Sequence, residues 1–132
     1  MAESLFTLHH NSLYVTDVDR SAEFYARALG LTEIPNRVDR AHIRWFDLDG
    51  VRTLHLIGGE TVARDRVFST HFALATARFE ECLARLRAED VVYCDLARKP
   101  GGVHVRGDGV RQIYFQHPDG HWIEINDATS GP

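Results

Sequence analysis

The sequence predicts an α+β chain made of two copies of one unit, a strand, a helix and three further strands. Two observations carry this. The first is an internal repeat. With the chain registered on His10 and His71, Val18 and Phe79 fall eight residues later, Ala22 and Leu83 twelve later, and Tyr25 and Leu86 fifteen later. The same apolar helix positions therefore recur at the same offset from the same residue type. The second is a hairpin signal, R-Q-I-Y-F-Q-H-P-D-G-H-W-I-E-I-N, over residues 111–126. His117-Pro118-Asp119-Gly120 is a turn with Pro second and Gly fourth, flanked by alternating strands.

Taken in order, residues 1–8 are a lead-in and Leu8–Val15 a strand. Asp17 is the expected cap of a helix running to Leu29 and stopped by Gly30. Leu31–Ile34, His42–Leu48 and Val51–Ile57 read as strands, with Asp49-Gly50 as a turn. A connection follows, from Gly58-Gly59 through Arg66. The second copy then opens with a strand over His71–Ala75, Thr76 as cap and a helix over Arg78–Ala88. It continues with a strand over Val91–Leu96, a Gly-Pro-rich loop near Lys99-Pro100-Gly101-Gly102, and the hairpin. The expected arrangement is one domain, 1–132, made of two repeats at about 5–60 and 67–128.

Composition narrows the class. The chain has 132 residues, 44% apolar and 26% charged, which fits one folded domain with a real core. A net charge of −4 with interspersed signs gives no basic stripe for nucleic acid. No apolar run reaches transmembrane length, and the N-terminus does not open a signal peptide, so no membrane partner is expected. Cys82 and Cys94 lack metal-type spacing and suggest reduced thiols in a cytoplasmic protein.

Alternation on the strands selects the candidate residues. In the hairpin, pairing of His117 with His121 puts Ile113, Phe115, Ile123 and Ile125 on one apolar face. Gln112, Tyr114, Gln116, Trp122, Glu124 and Asn126 share the other, which either lines a cavity or meets water. In the first strand of each copy, His10 and His71 lie opposite the helix-packed side of Leu13/Val15 and Phe72/Leu74. His9 has the other parity and reads as a surface residue. His55, between Leu54 and Leu56, occupies the place that Glu124 takes between isoleucines. A two-fold pseudo-repeat would gather His10, His55, His71 and Glu124, a set suited to one divalent metal. Tyr114 and Trp122 either line the pocket or pack the sheet. His104, His117 and His121 are expected to face solvent, while Arg37, Arg40, Arg44, Arg64 and Arg66 either contact an anionic substrate or form a solvated face.

The runs H-N-S-L-Y-V-T-D-V-D-R-S-A-E-F-Y-A-R-A-L-G-L (10–31), H-F-A-L-A (71–75) and I-Y-F-Q-H-P-D-G-H-W-I-E-I (113–125) resemble the vicinal-oxygen-chelate superfamily. That superfamily includes glyoxalase I, fosfomycin-resistance thiol transferases, extradiol dioxygenases and bleomycin-resistance proteins. The resemblance implies two βαβββ modules forming a half-open mixed-sheet barrel. It also implies metal ligands at His10, His55, His71 and Glu124, and a homodimer. The sequence departs from glyoxalase I at His55, where that enzyme has a metal-binding glutamate. The implied activity is a glyoxalase-like lyase or isomerase using Ni, Zn, Co, Mn or Fe. It would chelate a small substrate through vicinal oxygens and stabilise an enediolate, with Glu124 as ligand and proton carrier. The alternatives are an Fe(II) extradiol-type dioxygenase, which needs three open metal positions, and a non-catalytic drug- or metabolite-binding resistance protein.

Overall fold

The computed structural model of the chain describes residues 4–59 and 68–128. The chain divides into two compact units, 1–62 and 63–132. The connection predicted through Arg66, and with it Arg64 and Arg66, lies outside the described residues from position 60 onward.

The first unit contains β1 (His10–Val15), α1 (Val18–Leu29), β2 (Glu33–Ile34), β3 (Ile43–Asp47) and β4 (Thr53–Gly58). Its sheet has the order β1-β4-β3-β2, with β1 parallel to β4 and the other neighbours antiparallel. The second unit repeats this with β5 (His71–Ala75), α2 (Phe79–Ala88), β6 (His104–Val105), β7 (Arg111–Gln116) and β8 (Trp122–Asn126), in the order β5-β8-β7-β6. Each unit is thus an open, four-stranded mixed sheet with one helix. The α+β class and the repeated element order are as the sequence predicts.

The predicted helix stripes turn inward, with Val18 and Leu29 half-buried at the two ends of α1. Ala22 and Tyr25 of α1, and Phe79, Leu83 and Leu86 of α2, are all core residues. The Asp17 side chain accepts from the backbone N–H groups of Asp19 and Arg20, and Gly30 closes α1 in the left-handed region at φ 66°. Gly58 ends β4 where α1 begins. A Cβ there would stand 2.9 Å from that of Val18, so only glycine permits the approach.

Three expectations need correction. Val91–Leu96 is not a strand: only Cys94 forms bridges, to Pro100 and Tyr114, and the short fourth strand is β6. Asp95 and Lys99 instead tie this stretch into a turn, which diverts it from the ladder. The second helix has Arg78 at its N-cap without a side-chain bond, and Thr76 Oγ1 accepts from Arg78 N ahead of the cap. His117 does not face solvent but is 1% exposed. Its Nδ1 accepts the backbone N–H of Asp119 at 2.9 Å, so the ring folds inward and acts as an aspartate does in an Asx-turn. His104 lies in β6 and, like His121, is half-buried.

Candidate metal centre

Strand register fixes which side chains meet. In the second unit, Tyr114 stands opposite Glu124, Phe115 opposite Ile123 and Ile113 opposite Ile125, the pairing expected of the hairpin. The turn is closed by Gly120 N donating to His117 O at 2.7 Å. Ile113, Phe115, Ile123 and Ile125 are buried. Glu124 is also buried, at 5% exposure, on the opposite face.

Glu124 is held by named partners. Its Oε2 accepts from Gln112 Nε2 at 3.0 Å and from Asn126 Nδ2 at 2.7 Å. Its Oε1 lies 3.1 Å from His71 Nε2. The other ring nitrogen of His71, Nδ1, is 3.1 Å from the carbonyl oxygen of Phe68. A carbonyl can only accept, so that contact places a proton on Nδ1. Nε2 of a neutral His71 is then a lone pair facing a carboxylate, an approach stable only with a further positive charge between the two atoms. A proton supplies one. A divalent metal would supply one as well, held by His71 Nε2 and Glu124 Oε1. An imidazole tethered by its other N–H to a backbone carbonyl, beside a carboxylate oriented by amides, is the outer arrangement that metal ligands need.

Tyr114 adjoins this pair. Its ring is 5.5 Å from His71, edge-on. Burial, followed by the charge of Glu124, pushes its hydroxyl up to about 12, so it stays protonated as a donor. Trp122 is half-buried on the same strand as Glu124 and meets Phe68 at 4.7 Å.

The first unit has the same register and a different content. His55 stands opposite Trp45 as Glu124 stands opposite Tyr114, and His10 lies at the head of β1 as His71 does in β5. His55 is stacked between Trp45, at 4.0 Å and 2°, and His10, at 4.2 Å and 13°. Its Nε2 lies 2.9 Å from Thr53 Oγ1. Burial, followed by the neighbouring His10 and His9, lowers its pKa, so it is a neutral ring at neutral pH. Parallel rings send their lone pairs side by side rather than to one point, so joint coordination requires one ring to tilt. His9 is not a bystander: its Nδ1 is 2.8 Å from that of His10, which leaves His10 Nε2 as the free donor atom. That pairing was invisible to parity, since it joins neighbours on opposite faces.

Among the described residues, no three His, Cys, Asp or Glu side chains gather in a metal-binding group. Each unit supplies a pair, and the donor chemistry of His71 with Glu124 fits a divalent ion. Of the five arginines singled out, Arg44 is committed to Glu33 and Asp19. No helix among the described residues is long and apolar enough to cross a membrane.

Comparison with known proteins agrees with the fold. The family described as the Glyoxalase/Bleomycin resistance protein/Dioxygenase superfamily matches residues 7–125. The structure called Oxidase ChaP-H1 is 28% identical, with a TM-score of 0.74, covering 96% of this chain and 99% of its own. Oxidase ChaP-H2 is 24% identical with a TM-score of 0.77, covering 97% and 98%. A lactoylglutathione lyase from Agrobacterium tumefaciens is 20% identical with a TM-score of 0.67, covering 92% and 93%. No curated protein sequence matches the chain.

Proposed function

The chain belongs to the Glyoxalase/Bleomycin resistance protein/Dioxygenase superfamily, and from that premise we propose that it is a metal-dependent enzyme whose small substrate binds through vicinal oxygens. The ligands on this reading are His10, His71 and Glu124, with His55 as an auxiliary residue, and the two units, about 5–60 and 67–128, act as one domain in a cytoplasmic homodimer. The observation that carries it is the 3.1 Å approach of His71 Nε2 to Glu124 Oε1 with the other nitrogen of His71 already committed.

Two reactions fit such a centre. Oxidation is favoured by two features of the residues themselves. His55 is occupied by its stack and by Thr53, which leaves two histidines and one carboxylate. Glu124 is pinned through Oε2 by two amides, which suits a fixed ligand better than a carboxylate that must detach to carry a proton. The 28% identical relative described as an oxidase supports the same direction. A bound iron(II) would supply electron transfer to dioxygen, while Zn, Ni, Co or Mn would supply Lewis acidity. Glyoxalase-like isomerisation or lyase chemistry is the second reading. It is favoured by Tyr114, a protonated hydroxyl beside Glu124 that can donate to a developing oxyanion.

The test is elemental analysis of protein purified without chelators, together with the His55→Ala variant and oxygen uptake with a catechol. Retained metal in the variant and oxygen consumption support the oxidative reading. Loss of metal in the variant makes His55 a fourth ligand and returns the isomerase to first place. Wild-type protein that takes up no metal ends both.

A further inference from the structure

Beside the His71–Glu124 pair, the second unit carries aromatic rings and one cation with no part in holding a metal. The Phe68 ring lies 6.5 Å from His71, 4.8 Å from Tyr114 and 4.7 Å from Trp122, the last edge-on. The guanidinium carbon of Arg98 sits 4.7 Å over the Phe68 centroid. Among the described residues, Arg27, Arg44, Arg52, Arg78, Arg106 and Arg111 are each paired with an aspartate or glutamate. Arg98 has none among the described residues. Its position is nevertheless fixed. The residue adopts the left-handed region at φ 65°, which a non-glycine residue holds only when its surroundings impose it. The loop does so through Arg98 N to Asp95 O at 2.9 Å, Lys99 N to Asp95 Oδ1 at 2.8 Å and Gly102 N to Lys99 O at 3.0 Å. Gly102 has no room for a side chain, since a Cβ would stand 2.5 Å from Asp95 Oδ2.

We propose that Arg98, laid over Phe68, reads an anionic substituent, so that the substrate class is an aromatic acid. Its flat ring would pack on the Phe68–Trp122 wall and its carboxylate would take the guanidinium edge. A ring on that wall gains aromatic contact, and a carboxylate matches the planar fork of arginine with two parallel hydrogen bonds. Phe68 takes the guanidinium carbon, and among the described residues no acid takes its N–H groups, which are left for an acceptor. The proposal takes its location from the metal-centre reading but needs no metal to bind.

The experiment is calorimetric titration of metal-stripped protein with 2-naphthoate and its neutral isostere 2-naphthamide. Wild-type protein is expected to prefer the acid by about tenfold or more, the scale of a charge-assisted bidentate contact. Arg98→Gln should erase that preference while leaving naphthamide affinity unchanged. Arg98→Lys should keep part of it, through charge without the fork. Phe68→Leu should weaken both probes. Equal affinity in the wild type, absence of binding by either probe, or a preference that survives Arg98→Gln overturns the assignment. Because the protein is stripped, a failed metal assay alongside an intact acid preference removes only the metal reading.

Discussion

The two units use one backbone plan to hold two different chemistries. Matched by register, His10, Thr53, His55, Trp45, Ile43 and Ile57 in the first unit correspond to His71, Trp122, Glu124, Tyr114, Gln112 and Asn126 in the second. The decisive difference lies in the last two places. Gln112 and Asn126 give Glu124 two amide donors, whereas Ile43 and Ile57 offer a side chain at position 55 nothing but hydrocarbon. A buried carboxylate needs donors or a cation, because stripping its water uncompensated costs several kcal/mol. A neutral imidazole between two rings does not. The stack of Trp45, His55 and His10, with Thr53 Oγ1 at the His55 ring, occupies that place instead.

The comparison can be broken by substitution at matched places. Glu124→Ala should lower metal affinity by more than the 10- to 100-fold range of outer residues, while His55→Ala leaves it within a few-fold, both read by metal titration. Next in size, Gln112→Ala and Asn126→Ala should each weaken metal binding by about 10- to 100-fold. The matched Ile43→Ala and Ile57→Ala should not, although both are expected to lower the melting temperature by loss of packing. An equal effect from the isoleucines would remove the amides' special role. Helix capping gives a smaller contrast. Asp17→Ala should cost about 1 kcal/mol in denaturant unfolding, and Arg78→Ala less than about 0.5 kcal/mol, since only the first cap bonds the helix N–H groups.

Acid titration gives the smallest effect. Arg44, hydrogen-bonded to Glu33, holds that carboxyl below its usual range, and Arg111 does the same for Asp127. Depressed carboxylates add stability that is present above their unfolded values and is lost as pH falls through their folded ones. Both pairs are partly exposed, so screening keeps the contribution small. Glu33→Gln and Asp127→Asn should each flatten the acid limb of the stability curve slightly, and a limb unchanged in both variants would assign acid loss to other groups.

What the sequence disclosed follows the range of the interactions concerned. Helix stripes, the Asp17 cap, the Gly30 stop and the hairpin register arise from local periodicity and turn chemistry, and all were legible. The correspondence of His55 with Glu124 was legible because strand parity survives duplication. The inward ring of His117 was not, since it depends on a side-chain-to-backbone bond with Asp119. Nor was the bridge at Cys94, where Asp95 and Lys99 close a turn that competes with the ladder. The Phe68–Arg98 contact spans two loops, and no periodicity announces a pairing of that kind.

The amide pair flanking Glu124 makes that acid a module rather than a residue. A lone His55→Glu exchange would leave the acid without the two amides that Glu124 has, so reproducing that setting in the first unit means changing His55, Ile43 and Ile57 together, to Glu, Gln and Asn. The asymmetry between the two units therefore resides in a set of side chains rather than in a single position.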